Sequence, residues 1–252
     1  MLKSKYFKVF IIGIIIFVIL IGIYFNNKEK TNIVNSNTNS LQNELASLEE
    51  ERNDPYLFLV NKTHLLKDDY VAKDIVESNL PFLPYIVTTK LNKTVAENAA
   101  KMFKDAKSEG ITLLGASGYR THKTQVTLFN SNVKRKGKKA TLEYSAPPSA
   151  SEHETGLAID ILSKENSNLD YRFEKSKASR WLKKNCYKYG FILRYPKDKV
   201  NITKYSYEPW HYRYVGKKHA EKIMKNSLCL EEYLDKLDEN IKNLKDKLNN
   251  QK

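Results

Sequence analysis

The hydrophobic pattern begins with a long apolar stretch near the N-terminus. Val9–Phe25 carries no charge and consists almost wholly of Ile, Val, Leu, Phe and Gly, and lysines precede it. A helix of this length approaches the ~30 Å thickness of a membrane's hydrocarbon core, and flanking lysines favour the cytoplasmic side. A cleaved signal peptide needs a small-residue cleavage site, whereas the first alanine is Ala46. The pattern therefore predicts residues 1–27 to be a cytoplasmic N-terminus and a single-pass membrane anchor, with the rest of the chain extracytoplasmic.

Residues 28–54 have the pattern of a stalk. Asn, Ser and Thr dominate Thr31–Ser40, a composition typical of a flexible linker. Leucines then recur every three or four residues from Leu41 to Leu48 in a Glu-rich run. This spacing predicts a short helix that ends before Pro55.

From Pro55 to residue 229, short apolar runs alternate with amphipathic segments. Tyr56–Val60 is a candidate strand, and Thr94 with Glu97 has the spacing of a capping box at the start of a helix. The apolar face of that helix comprises Val95, Ala99, Met102, Phe103 and Ala106. Further helices are predicted around Val126–Val133 and Ala178–Tyr189, and strands at Ile111–Ala116, Leu157–Leu162, Phe191–Tyr195 and Trp210–Val215. A long loop is predicted over Lys134–Ser151. Because helices and strands mix without a βαβ repeat, the sequence predicts an α+β fold.

The C-terminal segment, residues 230–252, has a narrow apolar seam on an otherwise charged helix. Its members recur at spacings of four and three: Leu230, Leu234, Leu237, Ile241, Leu244 and Leu248. An isolated helix of about twenty residues is only marginally stable in water, so the seam needs a partner. Two interpretations stay open. The helix packs on the stalk helix or self-associates with a second copy, or its first leucines cap the domain core and the rest frays.

Composition and charge limit the partners. The chain has 252 residues, of which 41% are hydrophobic, and 43 basic against 29 acidic side chains give a formal charge of +14. The apolar share excludes a fully disordered protein. Such a positive charge often indicates nucleic acid, but no recognition motif is visible, so no nucleic-acid partner is expected. An anionic polymer of the cell envelope is the better match, unless the lysines serve only solubility.

Cysteines and histidines are few. The chain has two cysteines, Cys186 and Cys229. Two are too few for a disulfide scaffold or a cysteine-based zinc cluster. We expect both to be free thiols, although their pairing outside the cell is an open alternative. Of the five histidines, His64, His122 and His219 lack partners at ligand spacing and are expected not to bind metal.

The candidate chemistry lies in two short stretches, Ser151–Asp160 and Glu208–Tyr214. Together they offer two imidazoles and a carboxylate, His153, His211 and Asp160, which is a ligand set that suits a catalytic zinc with one open position. Glu208 is the spare carboxylate that would take a proton from water and pass it to a leaving amine.

These side chains converge only if the backbone bends. His153 and Asp160 are seven residues apart, so on one regular strand they would face opposite sides. Gly156 is the expected bend between them. Glu208 and His211 are three apart, and Pro209, which cannot donate to a strand ladder, predicts an irregular strand entry that brings both into one cleft.

Three ordered motifs resemble the VanY-type zinc D-Ala-D-Ala carboxypeptidases, a group that includes the hedgehog-like fold. The similarity extends from about Tyr56 to Leu234. The motifs are Ser151-x-His153-x-x-Gly156-x-Ala158-x-Asp160, Glu208-Pro209-Trp210-His211-x-Arg213-Tyr214-Val215-Gly216, and Ser117-Gly118-Tyr119-Arg120 with Gln125. One departure precedes the first motif, where Pro147–Ala150 replaces the family's Pro-Gly turn and leaves the loop's shape open.

The resemblance implies a small, mostly antiparallel sheet with flanking helices and one Zn²⁺ per chain. The metal ligands would be His153, Asp160 and His211, and the general base Glu208. The substrate-binding residues would be Arg120, which reads a terminal carboxylate, together with Ser151 and Gln125. A planar guanidinium suits that task because it binds a carboxylate through two parallel hydrogen bonds.

The implied activity is a zinc D,D-carboxypeptidase that removes the terminal D-alanine from peptidoglycan stem peptides. An L,D-carboxypeptidase acting on tetrapeptides and a D,D-dipeptidase would use the same ligands and base. A wall-binding module that keeps zinc without turnover is the alternative of another class, although it would not need Glu208.

Overall fold

The structure, a computed structural model, describes residues 2–250, without the side chains of residues 2–16 and 31–35. The helices are α1 (Leu2–Arg52), α2 (Lys93–Ser108), α3 (His122–Lys136), α4 (Lys138–Tyr144), α5 (Lys177–Asn185), α6 (Val200–Thr203), α7 (Lys217–Lys225) and α8 (Leu230–Asn249). The strands are β1 (Ile75–Glu77), β2 (Lys90–Asn92), β3 (Leu113–Ser117), β4 (Ala158–Ser163), β5 (Phe191–Leu193) and β6 (His211–Tyr214). The described residues form two compact units: α1 with the end of α8 from Leu237, and Asn53–Lys236.

The predicted localisation, a single-pass membrane protein with an extracytoplasmic catalytic domain, is wrong. Across the side chains that the structure describes, no helix has an apolar stretch long enough to cross a membrane. A span needs about 20 apolar residues, whereas the described apolar run reaches only from Phe17 to Phe25 before two asparagines. Residues 9–16 of the predicted span lie outside the side chains described.

In the first unit, the flexible linker predicted at Thr31–Ser40 is replaced by helix, because α1 continues to Arg52. Its end pairs with the C-terminal helix through two ion pairs, Arg52 with Asp238 at 2.7 Å and Glu49 with Lys245 at 2.7 Å. Helix α8 does not fray after Leu237 but continues to Asn249. Leu237 and Leu244 of its seam are buried. In the described residues the seam is covered within one chain, so the predicted self-association gains no support.

The second unit is built on a four-stranded sheet in the order β3-β4-β6-β5. Its neighbouring strands are antiparallel, and β1 and β2 form a separate antiparallel pair. The predicted α+β fold with a small antiparallel sheet and flanking helices is confirmed. In the pairing of β4 with β6, Asp160 lies directly opposite His211.

The core lies between the sheet and α2. The predicted apolar face of α2 is buried throughout, from Val95 to Ala106. The helix begins earlier than the capping box at Thr94 predicts. Asn92 is its N-cap, and the Asn92 side-chain oxygen accepts hydrogen bonds from the backbone N–H groups of Thr94 and Val95. Asparagine is among the strongest N-cap residues, so it sets the first turn.

Two other predictions differ from the structure. Tyr56–Val60 forms no strand. Instead, the segment begins with the 3₁₀ turn Pro55–Leu57, capped by Asp54. Its carbonyl groups accept hydrogen bonds from the buried guanidinium of Arg213 rather than from a neighbouring strand. The predicted loop Lys134–Ser151 contains α4, which follows α3 after a single glycine.

Candidate metal centre and active site

The sheet and one tight turn bring the predicted metal ligands together. Asp160 on β4 and His211 on β6 are partners in adjacent strands. His153 lies in the 3₁₀ turn Glu152–Thr155, which ends at Gly156 in the left-handed conformation with φ of 74°. A Cβ at this glycine would clash with Ile75, so only glycine permits the bend without strain. The predicted bend at Gly156 is therefore present.

The ligand atoms have the spacing of a metal site. Nε2 of His153 lies 3.4 Å from Asp160 Oδ2, and Nδ1 of His211 lies 3.1 Å from Asp160 Oδ1. All three side chains are buried, and one atom from each lies within 4.8 Å of the others. Two ligands at about 2.1 Å from a tetrahedral zinc are about 3.4 Å apart. The donor set and its spacing therefore fit Zn²⁺.

The imidazole of His153 is oriented by the backbone. Its Nδ1 lies 2.8 Å from the carbonyl oxygen of Gly118. A carbonyl only accepts hydrogen bonds, so Nδ1 carries the proton and Nε2 presents its lone pair to the metal side. Burial, together with the charge of Arg120, lowers the pKa of His153 to about 4. This imidazole is therefore neutral near pH 7, as a metal ligand must be.

The pKa values of the other two candidate ligands, Asp160 and His211, are shifted by the charged groups that they contact. Burial alone would raise the pKa of the Asp160 carboxyl, but His153 and His211 outweigh it and hold that pKa well below its usual range. Burial alone would lower the pKa of His211, but its contacts with Asp160 and Glu152 outweigh it and raise that pKa to about 9. Metal binding at His211 would therefore release a proton from this imidazole.

Glu208 stands beside this group, as the irregular strand entry predicts. The backbone N–H of His211 donates to the Glu208 carbonyl across the turn that contains Pro209. The turn places Glu208 Oε2 3.8 Å from His211 Nδ1. Burial raises the pKa of Glu208 to about 8. A carboxyl group in this environment binds a proton more readily than an exposed glutamate does, which favours Glu208 as the proton acceptor of the site.

Arg120 reaches the same site from the end of β3. Its Nη2 lies 3.6 Å from Asp160 Oδ2, and its side chain is 14% exposed. Ser117 Oγ accepts a hydrogen bond from Nε at 3.1 Å, and Gln125 Oε1 accepts one from Nη1 at 2.9 Å. These contacts fix the guanidinium beside the candidate metal ligands.

The other two predicted substrate-binding residues lie further back. Gln125 is fully buried, and its amide also donates to the carbonyl of Ala146 at 2.7 Å. It therefore holds Arg120 from behind. Ser151 is 3% exposed and precedes the turn that carries His153, where its side chain makes no capping hydrogen bond.

The remaining histidines and cysteines lie apart from this cluster. His122 Nδ1 lies 2.8 Å from Glu154, and His219 lies between Tyr233 and Asp54. Cys186 and Cys229 are both buried, free thiols, as predicted. A cavity of about 270 Å³ lies beside Tyr119, the residue that precedes Arg120. Its lining includes Leu66, Lys67, Tyr70, Tyr119, His122 and Glu154.

The sequence reasoning missed a group of buried charges behind His211. Glu152 Oε2 lies 3.2 Å from His211 Nε2, and Glu152 Oε1 accepts hydrogen bonds from Arg194 and Arg213. Burial alone would raise the pKa of Glu152, but the two arginines outweigh it and hold that pKa far below its usual range. The sequence offered one signal for this residue: Glu152 stands between Ser151 and His153 in the first motif.

The departure at Pro147–Ala150 is accommodated by backbone strain. Ser149 adopts a φ of 68°, in the left-handed region that favours glycine. Its N–H donates to Glu154 Oε1 at 2.9 Å, and its carbonyl accepts from Leu66 N at 2.7 Å. The loop therefore takes a glycine-like turn with a serine.

The chain matches the VanY family, described as D-alanyl-D-alanine carboxypeptidase, over residues 88–217. It is 45% identical over 184 residues to the carboxypeptidase candidate YodJ of Bacillus subtilis (strain 168), covering 72% of this chain and 67% of that protein. The solved LdcB LD-carboxypeptidase is similar with 44% identity and a TM-score of 0.68, over 72% of this chain and 86% of that one.

A second solved structure is the D,D-pentapeptidase VanY from a VanB-type resistance cassette in complex with Zn(II). It is similar with 34% identity and a TM-score of 0.59, over 71% of this chain and 98% of that one. The region matched by the family model, residues 88–217, contains Arg120, both ligand-bearing motifs and Glu208. The family match, the fold and the ligand spacing agree, and the chain belongs to the VanY family of D-alanyl-D-alanine carboxypeptidases.

Proposed function

We propose that this protein is a zinc-dependent carboxypeptidase that binds one Zn²⁺ per chain and removes the C-terminal D-alanine from peptidoglycan stem peptides. The observation that carries the proposal is the buried set of His153, Asp160 and His211, with Glu208 and Arg120 beside it. Family membership supports a peptidase acting on wall peptides. A purely structural metal site would not need Glu208.

The roles of Zn²⁺ and Glu208 follow from their charges. When bound, Zn²⁺ would supply Lewis-acid chemistry, polarising the scissile carbonyl and lowering the pKa of water toward about 7. Glu208 takes the proton from the attacking water and delivers it to the leaving amine, and its raised pKa suits both transfers. Burial excludes bulk water, so these charges act at low dielectric.

Arg120 gives the enzyme its preference for chain ends. The last residue of a peptide carries a free main-chain carboxylate next to the terminal peptide bond, and a guanidinium binds it through paired hydrogen bonds. Gln125 and Ser117 fix the Arg120 fork in place, so less side-chain entropy is lost when the substrate binds. Ser151, at the entrance to the metal-binding turn, is proposed as a further hydrogen-bonding group for the substrate.

Two bonds are candidates for cleavage, and both release D-alanine. The D,D bond of a pentapeptide is the first, because the family is that of D-Ala-D-Ala carboxypeptidases. The L,D bond of a tetrapeptide is the second. The specific observation that favours it is the greater similarity to LdcB, with 44% identity, than to VanY, with 34%.

Mass spectrometry separates these activities in one experiment. The purified protein, supplied with zinc, is incubated with synthetic pentapeptide and tetrapeptide stems. Loss of one alanine from the pentapeptide supports D,D activity, and loss of one alanine from the tetrapeptide supports L,D activity. Hydrolysis of the free dipeptide D-Ala-D-Ala, supplied as a third substrate, with both stems left intact would indicate a D,D-dipeptidase. With zinc bound and neither stem altered, the proposal is overturned.

A further inference from the structure

Four charged side chains are buried together behind the metal site. Arg194 and Arg213 are 0% exposed, Glu152 is 1% exposed, and Glu231 at the start of α8 is 9% exposed. Arg194 binds Glu231 through two hydrogen bonds of 2.8 and 2.7 Å and Glu152 through one of 2.7 Å. Burying this many charges is costly, and ion pairs of this kind often add little net stability. A role beyond stability would account for the cluster.

The two oxygens of Glu152 have different tasks. Oε1 accepts hydrogen bonds from Arg194 Nε at 2.7 Å and from Arg213 Nη1 at 2.8 Å. Oε2 lies 3.2 Å from Nε2 of His211. The carboxylate therefore bridges the arginine cluster and one proposed metal ligand.

The ring of His211 has a carboxylate at each nitrogen. Nε2 faces Glu152, while Nδ1 faces Asp160 at 3.1 Å. A neutral imidazole has one N–H and one lone pair, so the partner of Nε2 decides which atom can bind metal. His153 has the equivalent arrangement, with its distal nitrogen on the carbonyl of Gly118. At His211 a side chain performs the task that the backbone performs at His153.

We propose that Glu152 is a positioning residue that holds the N–H of His211 on Nε2 and thereby directs the Nδ1 lone pair to the metal. Arg194 and Arg213 hold the carboxylate in place and keep it from turning away. This inference rests on the proposed metal site. Carboxylate partners of this kind fix the tautomer and orientation of metal-binding imidazoles.

The substitution Glu152→Gln tests this role with almost no change of shape. Both arginines are pure donors, so they hold the amide oxygen of the substituted side chain and turn its NH₂ group toward His211. An N–H donor at that place favours the tautomer with its lone pair on Nε2, which opposes metal binding at Nδ1. Zinc affinity, measured by competition with a chelator, is expected to fall about 10- to 100-fold.

The matched control is Glu231→Gln. Glu231 is bound by the same Arg194 and by Asn61, but no hydrogen bond between Glu231 and His211 is present in the described residues. The Glu231→Gln substitution removes a carboxylate from the same cluster. If Glu152 had a merely structural role, both variants would have equal effects. We expect Glu231→Gln to keep wild-type zinc affinity, and Co²⁺-substituted protein to show changed visible absorption bands only for Glu152→Gln.

Each outcome decides the inference. Wild-type zinc affinity in Glu152→Gln, or an equal loss in Glu231→Gln, would overturn it. If Glu152→Gln fails to fold, judged by circular dichroism, Glu152→Asp replaces it: the charge for the arginines remains, the reach to His211 is shortened, and weaker zinc binding is again expected. If the wild type itself binds no zinc, the proposed metal site fails and the inference fails with it. If the wild type and both variants bind zinc equally tightly, the proposed metal site stands and only the role of Glu152 is refuted.

Discussion

Asp160 and His211 face each other across the β4–β6 ladder, and their side chains meet at 3.1 Å. Because a shift of one residue in register would send one of the two side chains to the other face of the sheet, this pairing specifies the site. Fifty residues separate the two in sequence, and the sheet brings them into contact.

Removing His211 should abolish metal binding. We expect His211→Ala to lose both zinc and peptidase activity, since two ligands cannot replace a three-ligand site. Metal analysis after dialysis gives the zinc content. His64→Ala, which changes an exposed histidine, is the control and should retain both. Full zinc content in His211→Ala would contradict the assignment.

Removing the carboxylate of Glu208 should separate binding from chemistry. Glu208→Gln keeps the three ligands, so zinc content should stay at the wild-type level, while kcat falls about 10²- to 10⁴-fold because the proton transfer is lost. The control is Glu97→Gln, an exposed glutamate on α2. A variant with zinc and near-normal turnover would show that another group is the base.

Arg120→Ala should reduce activity mainly on substrates with a free terminal carboxylate. A hydrogen bond to a charged group is worth about 1.5–3 kcal/mol, so kcat/KM on the free acid should fall about 10- to 100-fold. Activity on the C-terminally amidated peptide should change little. Arg120→Lys should restore only part of the kcat/KM on the free acid, since an ammonium lacks the planar fork of a guanidinium.

The control for this comparison is Arg180→Ala, which removes an exposed guanidinium on α5 and should leave the acid-to-amide ratio unchanged. An equal loss on acid and amide substrates in Arg120→Ala would assign Arg120 to structure instead.

Ser149→Gly should stabilise the protein. A non-glycine residue in the left-handed region costs about 1 kcal/mol or more, and glycine keeps the N–H that binds Glu154. We expect an increase of about 1 kcal/mol in the free energy of unfolding, seen as a Tm raised by about 2–4 °C. Ser206→Gly, at a half-buried serine without positive φ, should instead be neutral or destabilising. Equal effects of both substitutions would refute the strain argument.

Truncation after Asp238 should expose the end of α1. The deletion removes the buried Leu244 and the Glu49–Lys245 ion pair, so hydrogen exchange of the Leu41–Leu48 amides should become faster. Deleting only the residues after Leu248 is the control and should leave exchange unchanged. Unchanged exchange in the longer truncation would show that α8 does not protect α1.

The candidate ligands and the candidate base could be predicted from the sequence. His153, Asp160, Glu208 and His211 lie in two short motifs, because a zinc site needs specific donor atoms and a proton acceptor. The bends at Gly156 and Pro209 were also readable, since both residues impose local backbone geometry. The apolar face of α2 followed from helical periodicity.

The surroundings of that site depend on contacts between segments that are far apart in sequence. Glu152 meets Arg194 and Arg213 across 42 and 61 residues of sequence, and local patterns carry no information about contacts set by strand register. The same holds for Gln125, a predicted substrate-binding residue whose burial and hydrogen bond to Arg120 depend on the fold. It also holds for α8, whose leucine seam was visible in the sequence, while the choice between the stalk helix, a second copy and a frayed end stayed open. Apolar periodicity shows that a face must be covered, and the fold decides which segment covers it.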